Sequence, residues 1–189
     1  MKTIKDMVTN EIIIKNSRFV TIIQNIENED INQILKSVKN KYPKATHYCY
    51  AYIYNNKKQC SDDKEPSNTA GRPMLNVLEK EQLSNIAAVT IRYFGGIKLG
   101  AGGLLRAYTK SVTEALKKAN FITLVEGYKI KICFDYSSEK QINYLLEGNV
   151  LEKDYSQDVT YIALIKKEHL EKLHNFSYEI LEKLYIENY

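Results

Sequence analysis

The chain has 189 residues, 44% of them hydrophobic, with 27 Lys and Arg against 23 Asp and Glu for a formal net charge of +4. Such a chain can bury a core in one or two domains, and its mild basicity excludes a dedicated DNA-coating protein, so any nucleic-acid role must rest on local patches. No apolar run reaches the roughly 18 residues of a membrane span or the length of a signal peptide, and Cys49, Cys60 and Cys133 are too scattered for a disulfide framework, so the expectation is a cytoplasmic protein with no membrane partner.

Glu11-Ile-Ile-Ile-Lys15 and Arg18-Phe-Val-Thr-Ile-Ile23 flank the tight-turn pair Asn16-Ser17 and predict a hairpin. Ile31, Ile34, Leu35 and Val38 recur at helical spacing and predict a helix from Glu29 to Lys41, stopped by Pro43. Residues 47–54 alternate and predict a strand with Tyr48, Tyr50, Tyr52 and Tyr54 on one face. That face is either a stacking platform for RNA bases or a cover over the core whose hydroxyls reach water. Residues 55–70 are polar and turn-rich and read as one long loop, a kind of segment that often carries function. A helix over 72–82, with Pro73 in its first turn, and a strand over 85–93 follow. The next helix, over 104–120, is expected to bury Leu105, Tyr108, Val112, Ala115, Leu116 and Ala119, leaving Arg106, Lys110 and Lys117 outside. From Gly127 the order reads strand 128–136, helix 137–147, strand 149–155, strand 159–166, helix 168–184 and a final strand over 185–189. That is a ferredoxin-like βαββαβ unit, so the fold class is α+β with a boundary near 126/127.

Five of the eight glycines, Gly95, Gly96, Gly100, Gly102 and Gly103, fall between the strand at 85–93 and the helix at 104–120. Glycines in that position let backbone N–H groups approach an anion. No Asp or Glu occurs over 82–113, whereas Arg92, Lys98, Arg106 and Lys110 all do. The nucleotide templates fit poorly: Ala101 follows Gly100 where a Walker A loop needs Lys, and no βαβ units flank the run as a dinucleotide fold requires. The glycines therefore serve anion or RNA-backbone contact, or only positive φ and close packing. The acidic run Asp62-Asp63-x-Glu65 could hold a divalent ion or cap backbone amides and pair with Arg72 or Lys64, and it lacks the ligand spacing of a calcium loop. His47-x-Cys49 with Cys60 is a weak zinc pattern, and Cys49 beside His47 a weak nucleophile pattern.

Four segments carry a resemblance: Asn16-Ser-Arg-Phe19, Ala45-Thr-His-Tyr-Cys-Tyr-Ala51, Ser61-Asp-Asp-Lys-Glu-Pro-Ser-Asn-Thr-Ala-Gly-Arg-Pro73 and Arg92-Tyr-Phe-Gly-Gly-Ile-Lys-Leu-Gly-Ala-Gly-Gly-Leu-Leu-Arg-Ala-Tyr108. In order and spacing they resemble the signatures of the YigZ/IMPACT family. The resemblance implies a ribosomal-protein-S5-domain-2-like domain over 1–126, followed by a ferredoxin-like domain over 127–189. Both are similar in fold to adjacent domains of translation elongation factor G, and eukaryotic members of the family are translation regulators. Lys64 and Asn68 stand where the family pattern usually has glycine.

The reading that results is a non-enzymatic module that binds RNA or the ribosome, or a protein partner in translation, with no cofactor and no metal. Its expected site joins Arg92, Lys98, Arg106 and Lys110 to the backbone of Gly95, Gly96, Gly100, Gly102 and Gly103. A second loop, with Asp62, Asp63, Glu65, Ser67, Thr69, Gly71 and Arg72, faces it. Two alternatives stand beside this one: a small hydrolase or nucleotide-handling enzyme using Asp62, Asp63 and Glu65, and a protein-interaction module docking on exposed tyrosines.

Overall fold

In the computed structural model, which describes residues 1–26 and 30–188, the chain divides into two compact units, Met1–Ile122 and Thr123–Tyr189. Both are α+β.

The first unit opens with β1 (Lys2–Ile4) and the hairpin of β2 (Val8–Ile14) and β3 (Ser17–Asn25). Ile14 pairs with Ser17, so the turn residues are Lys15 and Asn16, both at positive φ, one position earlier than Asn16-Ser17. Helix α1 (Ile31–Lys41) is capped by Asp30, which accepts from the Asn32 amide at 2.9 Å; the expected start at Glu29 lies outside the described residues. β4 (His47–Tyr54) turns directly into β5 (Lys57–Ser61) through Asn55-Asn56, again both at positive φ as a type I′ turn demands. The long loop expected over 55–70 is thus half hairpin, because two asparagines supply a turn that glycine more often signals. Helix α2 (Gly71–Lys80), β6 (Ile86–Tyr93) and helix α3 (Gly100–Leu116) complete the unit.

The strands form one antiparallel sheet in the order β2-β3-β6-β4-β5. Strand alternation divides its residues between two cores. Phe19, Ile23, Cys49, Ala51, Ile53, Ile86 and Ala88 face α2 and α3, while Val20, Ile22, Val89 and Ile91 face α1. The tyrosines of β4 lie on the α1 side. Tyr52 is buried, and Tyr48, Tyr50 and Tyr54 pack partly buried beside Ile34 and Leu35. A helix covers the face on which bases would have stacked.

Helix α3 starts four residues before the expected Leu104, taking Gly100, Gly102 and Gly103 into its first turn, and its buried stripe is Leu104, Ala107, Tyr108, Ser111, Val112, Ala115 and Leu116. Leu105 is exposed rather than buried, since the earlier start changes nothing in the spacing but the sheet lies against the neighbouring positions.

The second unit uses β7 (Phe121–Phe134), helix α4 (Glu139–Leu145), β8 (Val150–Tyr155), β9 (Val159–Lys166) and β10 (Ser177–Glu187). Within the unit the antiparallel order is β10-β7-β9-β8. Ile130, Ile132 and Phe134 of β7, Ile142 of α4, and Val159, Tyr161, Ala163 and Ile165 of β9 form its core. The helix expected over 168–184 is instead a short 3-10 segment, Lys167–Leu173, followed by an eleven-residue strand. β10 pairs along β7 from Ser177↔Cys133 to Glu187↔Leu124, and this ladder outweighs the helical spacing of its leucines.

Candidate functional site

The run Ile86–Tyr93 is buried at every position but the last, and Arg92 is its one charge. A charge in such a strand requires a buried partner. Arg92 Nη1 donates to Glu65 Oε1 at 2.6 Å, Nη2 donates to Ser17 Oγ at 3.3 Å, and the guanidinium lies between the rings of Phe19 and Phe94, 5.5 Å from each centroid. Glu65 Oε1 also accepts from the Tyr108 hydroxyl at 2.8 Å and stands 3.7 Å from His47 Nε2. His47 Nδ1 is 2.8 Å from the Asp63 carbonyl oxygen, which only accepts, so Nδ1 carries a proton. The Cys49 thiol lies 3.0 Å from the Asp62 carbonyl and 3.3 Å from the Tyr108 hydroxyl. Burial pushes the pKa of both the thiol and the phenol well above their ordinary values, the direction that favours the protonated thiol over the nucleophilic thiolate.

The loop that delivers Glu65 is organised by the two aspartates before it. Asp62 Oδ1 accepts from the amides of Ala70 at 2.9 Å and Gly71 at 2.8 Å, and Oδ2 accepts from Asn68 at 2.8 Å. Asp63 Oδ2 accepts from the Tyr48 amide at 2.6 Å. These carboxylates hold backbone, and an enzyme reading that needs them free for chemistry loses its residues. Thr69 is buried with its hydroxyl on the Pro66 carbonyl, Ser67 is exposed, Gly71 opens α2, and Arg72 is exposed 3.8 Å from Glu79 rather than beside either aspartate. Lys64 and Asn68 have φ of 69° and 60°, so the loop takes the left-handed conformation at both positions where glycine is usual. Among the described residues no three His, Cys, Asp or Glu side chains gather closely enough to hold a metal ion.

The glycine run does two different things. Gly95 packs against the β2–β3 turn so tightly that a Cβ would stand 2.0 Å from the Asn16 carbonyl carbon, and its amide donates to Ser17 Oγ at 3.2 Å. Gly100, with φ of +68°, starts α3 where a Cβ would meet nothing within 4 Å. Gly96 lies between them, also at positive φ, and Gly102 and Gly103 belong to the helix. No side chain caps α3, whose N-cap is Leu99, and its first turn has no acid. Lys98, Arg106 and Lys110 are exposed, Gly102, Arg106 and Lys110 falling on one helical stripe. Arg92, expected among these cations, is instead buried behind them at 4% exposure.

Between these elements lies a cavity of about 460 Å³, lined by Thr46, His47, Glu65, Pro66, Arg92, Phe94, Lys98, Leu99, Gly100, Ala101 and Leu104. A groove of similar volume on the second unit is lined by Glu126, Lys166, Lys167 and Glu168, with Lys167 already paired to Glu126 at 2.7 Å. The cavity in the first unit brings together both sequence-predicted loops. Thr46, Phe94, Leu99 and Leu104 were not among the expected residues, nor was the His47–Glu65–Arg92–Tyr108 set expected as one network. The lone arginine in a buried strand was the signal for the network.

The Impact N-terminal domain matches residues 15–116, the span that holds this whole arrangement. The chain belongs to the IMPACT family. It is 40% identical over 175 residues to the IMPACT family member YvyE of Bacillus subtilis, covering 87% of this chain and 79% of that one. It is 37% identical over 188 residues to an IMPACT family member of Haemophilus influenzae, covering 95% and 90% of the two chains. It is 34% identical over 187 residues to the IMPACT family member YigZ of Escherichia coli, covering 92% of each. A crystal structure of a hypothetical protein superposes with a TM-score of 0.64 at 28% identity, covering 96% of this chain and 97% of that one.

Proposed function

We propose that this IMPACT family chain is a non-enzymatic module that binds RNA or the ribosome and acts in translation. The observation that carries the reading is the exposed, acid-free start of α3, where Lys98, Arg106 and Lys110 flank backbone amides that no side chain caps. The resemblance to a family with translation regulators among its members supports the process. In the same reading the first unit has the S5-domain-2-like fold and the second the ferredoxin-like one, for which the strand order β10-β7-β9-β8 speaks.

Binding of a single-stranded RNA to the full chain, titrated against salt, tests the proposal. Affinity is expected to fall steeply with salt. Lys98→Ala with Arg106→Ala is expected to weaken it and to flatten the slope of log K against log salt by about 1.4, two contacts' worth on a single strand. No binding, or salt-independent binding, overturns it.

A further inference from the structure

We propose that the cavity beside Glu65 is a binding site for a guanine base, the N–H groups of its Watson–Crick edge on the free oxygen of Glu65 and on His47, and its ring against Phe94. This goes beyond the RNA reading, because a free nucleoside and an unpaired base in a strand offer the same edge and the same face.

A buried oxygen in the wall carries the inference. The Glu65 side chain lines the cavity at 4% exposure. Its Oε1 accepts from Arg92 and from the Tyr108 hydroxyl, whereas Oε2 accepts from no group among the described residues. Nor is Oε2 sealed off. Among the described residues Arg92 Nε is the fully enclosed side-chain nitrogen or oxygen that lacks a partner, so Oε2, which also lacks one, retains accessible surface on the cavity that Glu65 lines. Oxygens this deeply placed ordinarily find a donor. The protein wall offers none, and a ligand must bring it.

His47 places a second acceptor beside the first. Its Nδ1 donates to the Asp63 carbonyl, so in the neutral ring the lone pair is on Nε2, 3.7 Å from Glu65 Oε1. A cation is not what this pair selects, because Arg92 at 2.6 Å already balances the Glu65 charge and Lys98 lines the same cavity. A neutral group with two adjacent donors matches it. Guanine has two side by side, the ring N1–H and the exocyclic amine. Adenine and cytosine set a ring acceptor next to their amine, and uracil flanks its one N–H with two carbonyls, all groups that a carboxylate repels.

Size and the remaining wall fit a single base. About 460 Å³ lies within the range of small-molecule sites and is too small for a continuous strand. Phe94, 46% exposed, joins Pro66, Leu99 and Leu104 in an apolar lining against which a flat ring can stack. Neither Lys98 nor the start of α3 is needed to hold it.

Saturation-transfer NMR of the full chain with guanosine, inosine, N1-methylguanosine and adenosine tests this. Guanosine is expected to bind. Inosine, which lacks the exocyclic amine, is expected to bind about tenfold more weakly, and N1-methylguanosine and adenosine at least as weakly as inosine. Phe94→Ala is expected to weaken guanosine about tenfold while the thermal melt moves little, since the ring is nearly half exposed. Glu65→Gln replaces an acceptor by a donor and is expected to erase the advantage of guanosine over inosine. That variant also leaves Arg92 unmatched, so the nucleoside series on the unaltered chain is decisive by itself. Absence of guanosine binding at millimolar concentration, or equal binding of the four nucleosides, overturns the proposal. A parallel titration compares a uridine heptamer with the same heptamer carrying one central guanosine. A preference for the guanosine-bearing strand supports an unpaired base as the source, and guanosine binding without that preference supports the free nucleoside. RNA that binds without preference while guanosine fails overturns the cavity site and leaves the RNA reading standing, whereas guanosine binding with no RNA binding does the reverse.

Discussion

With side chains 5% and 4% exposed, Arg92 and Glu65 have exchanged water for each other, and each is tolerable only while the other is present. Glu65→Ala should therefore destabilise the first unit by about 3–5 kcal/mol, the cost of stranding a buried guanidinium rather than the net worth of the pair. Arg92→Met in the same chain should recover much of that loss, because it removes the stranded charge and keeps an apolar side chain between Phe19 and Phe94. Denaturant melts of the two singles and the double, read as a double-mutant cycle, check this, and simple additivity would contradict it. The same residues show how far the sequence discloses a site. Asp62, Asp63 and Glu65 are visible as an acidic run beside a glycine run, but their partners lie 6 to 27 positions away, on Asn68, Ala70, Gly71, Tyr48 and Arg92. Which carboxylate caps and which one pairs is decided by the tertiary fold, and spacing along the chain cannot express it.

Elements were legible where local pattern and tertiary demand agree. β4 runs over the residues its alternating sequence predicts, and β9 over the expected 159–166, with buried and half-buried residues alternating along it. Where the two disagree the fold prevails: α3 absorbs three glycines that propensity keeps out of a helix, and β10 trades a helical leucine spacing for the open edge of β7. α4 adds a polar tether to its packing through Ile142. Glu139 Oε1 accepts from Tyr161 of β9 at 2.5 Å and from Tyr155 of β8 at 2.8 Å, and these hydrogen bonds, Tyr161's first, hold its carboxyl below the usual glutamate pKa. A carboxyl depressed in the folded state stabilises it above the unfolded pKa of about 4.3 and loses that contribution as pH falls through the lower folded value. The second unit should thus lose thermal stability as pH drops below about 4.3, and Glu139→Gln should shrink that loss. Near-UV circular dichroism of its tyrosines against temperature and pH is the measurement. An identical acid dependence in the variant would remove Glu139 from the account.

At the scale of the whole molecule the modest net charge hides an asymmetry. The first unit carries 19 Lys and Arg against 11 Asp and Glu, a net +8, whereas the second carries 8 against 12, a net −4. A polyanion senses the field of the surface near it, within a Debye length of about 8 Å at physiological salt, and not the average of +4. The acid-free window over 82–113 lies wholly in the positive unit, with Lys98, Arg106 and Lys110 at its exposed face. The acidic second unit offers RNA little by way of counterion release. Photo-crosslinking of a bound single-stranded RNA, followed by peptide mapping, should therefore place adducts around residues 94–110 and leave residues 123–188 essentially clear. Raising salt should erase the adducts in step with affinity, since the same few cations govern both. Adducts concentrated on the second unit would show that stacking on its exposed tyrosines, Tyr136, Tyr144, Tyr155 and Tyr185, outweighs the field, and would move the RNA contact away from α3.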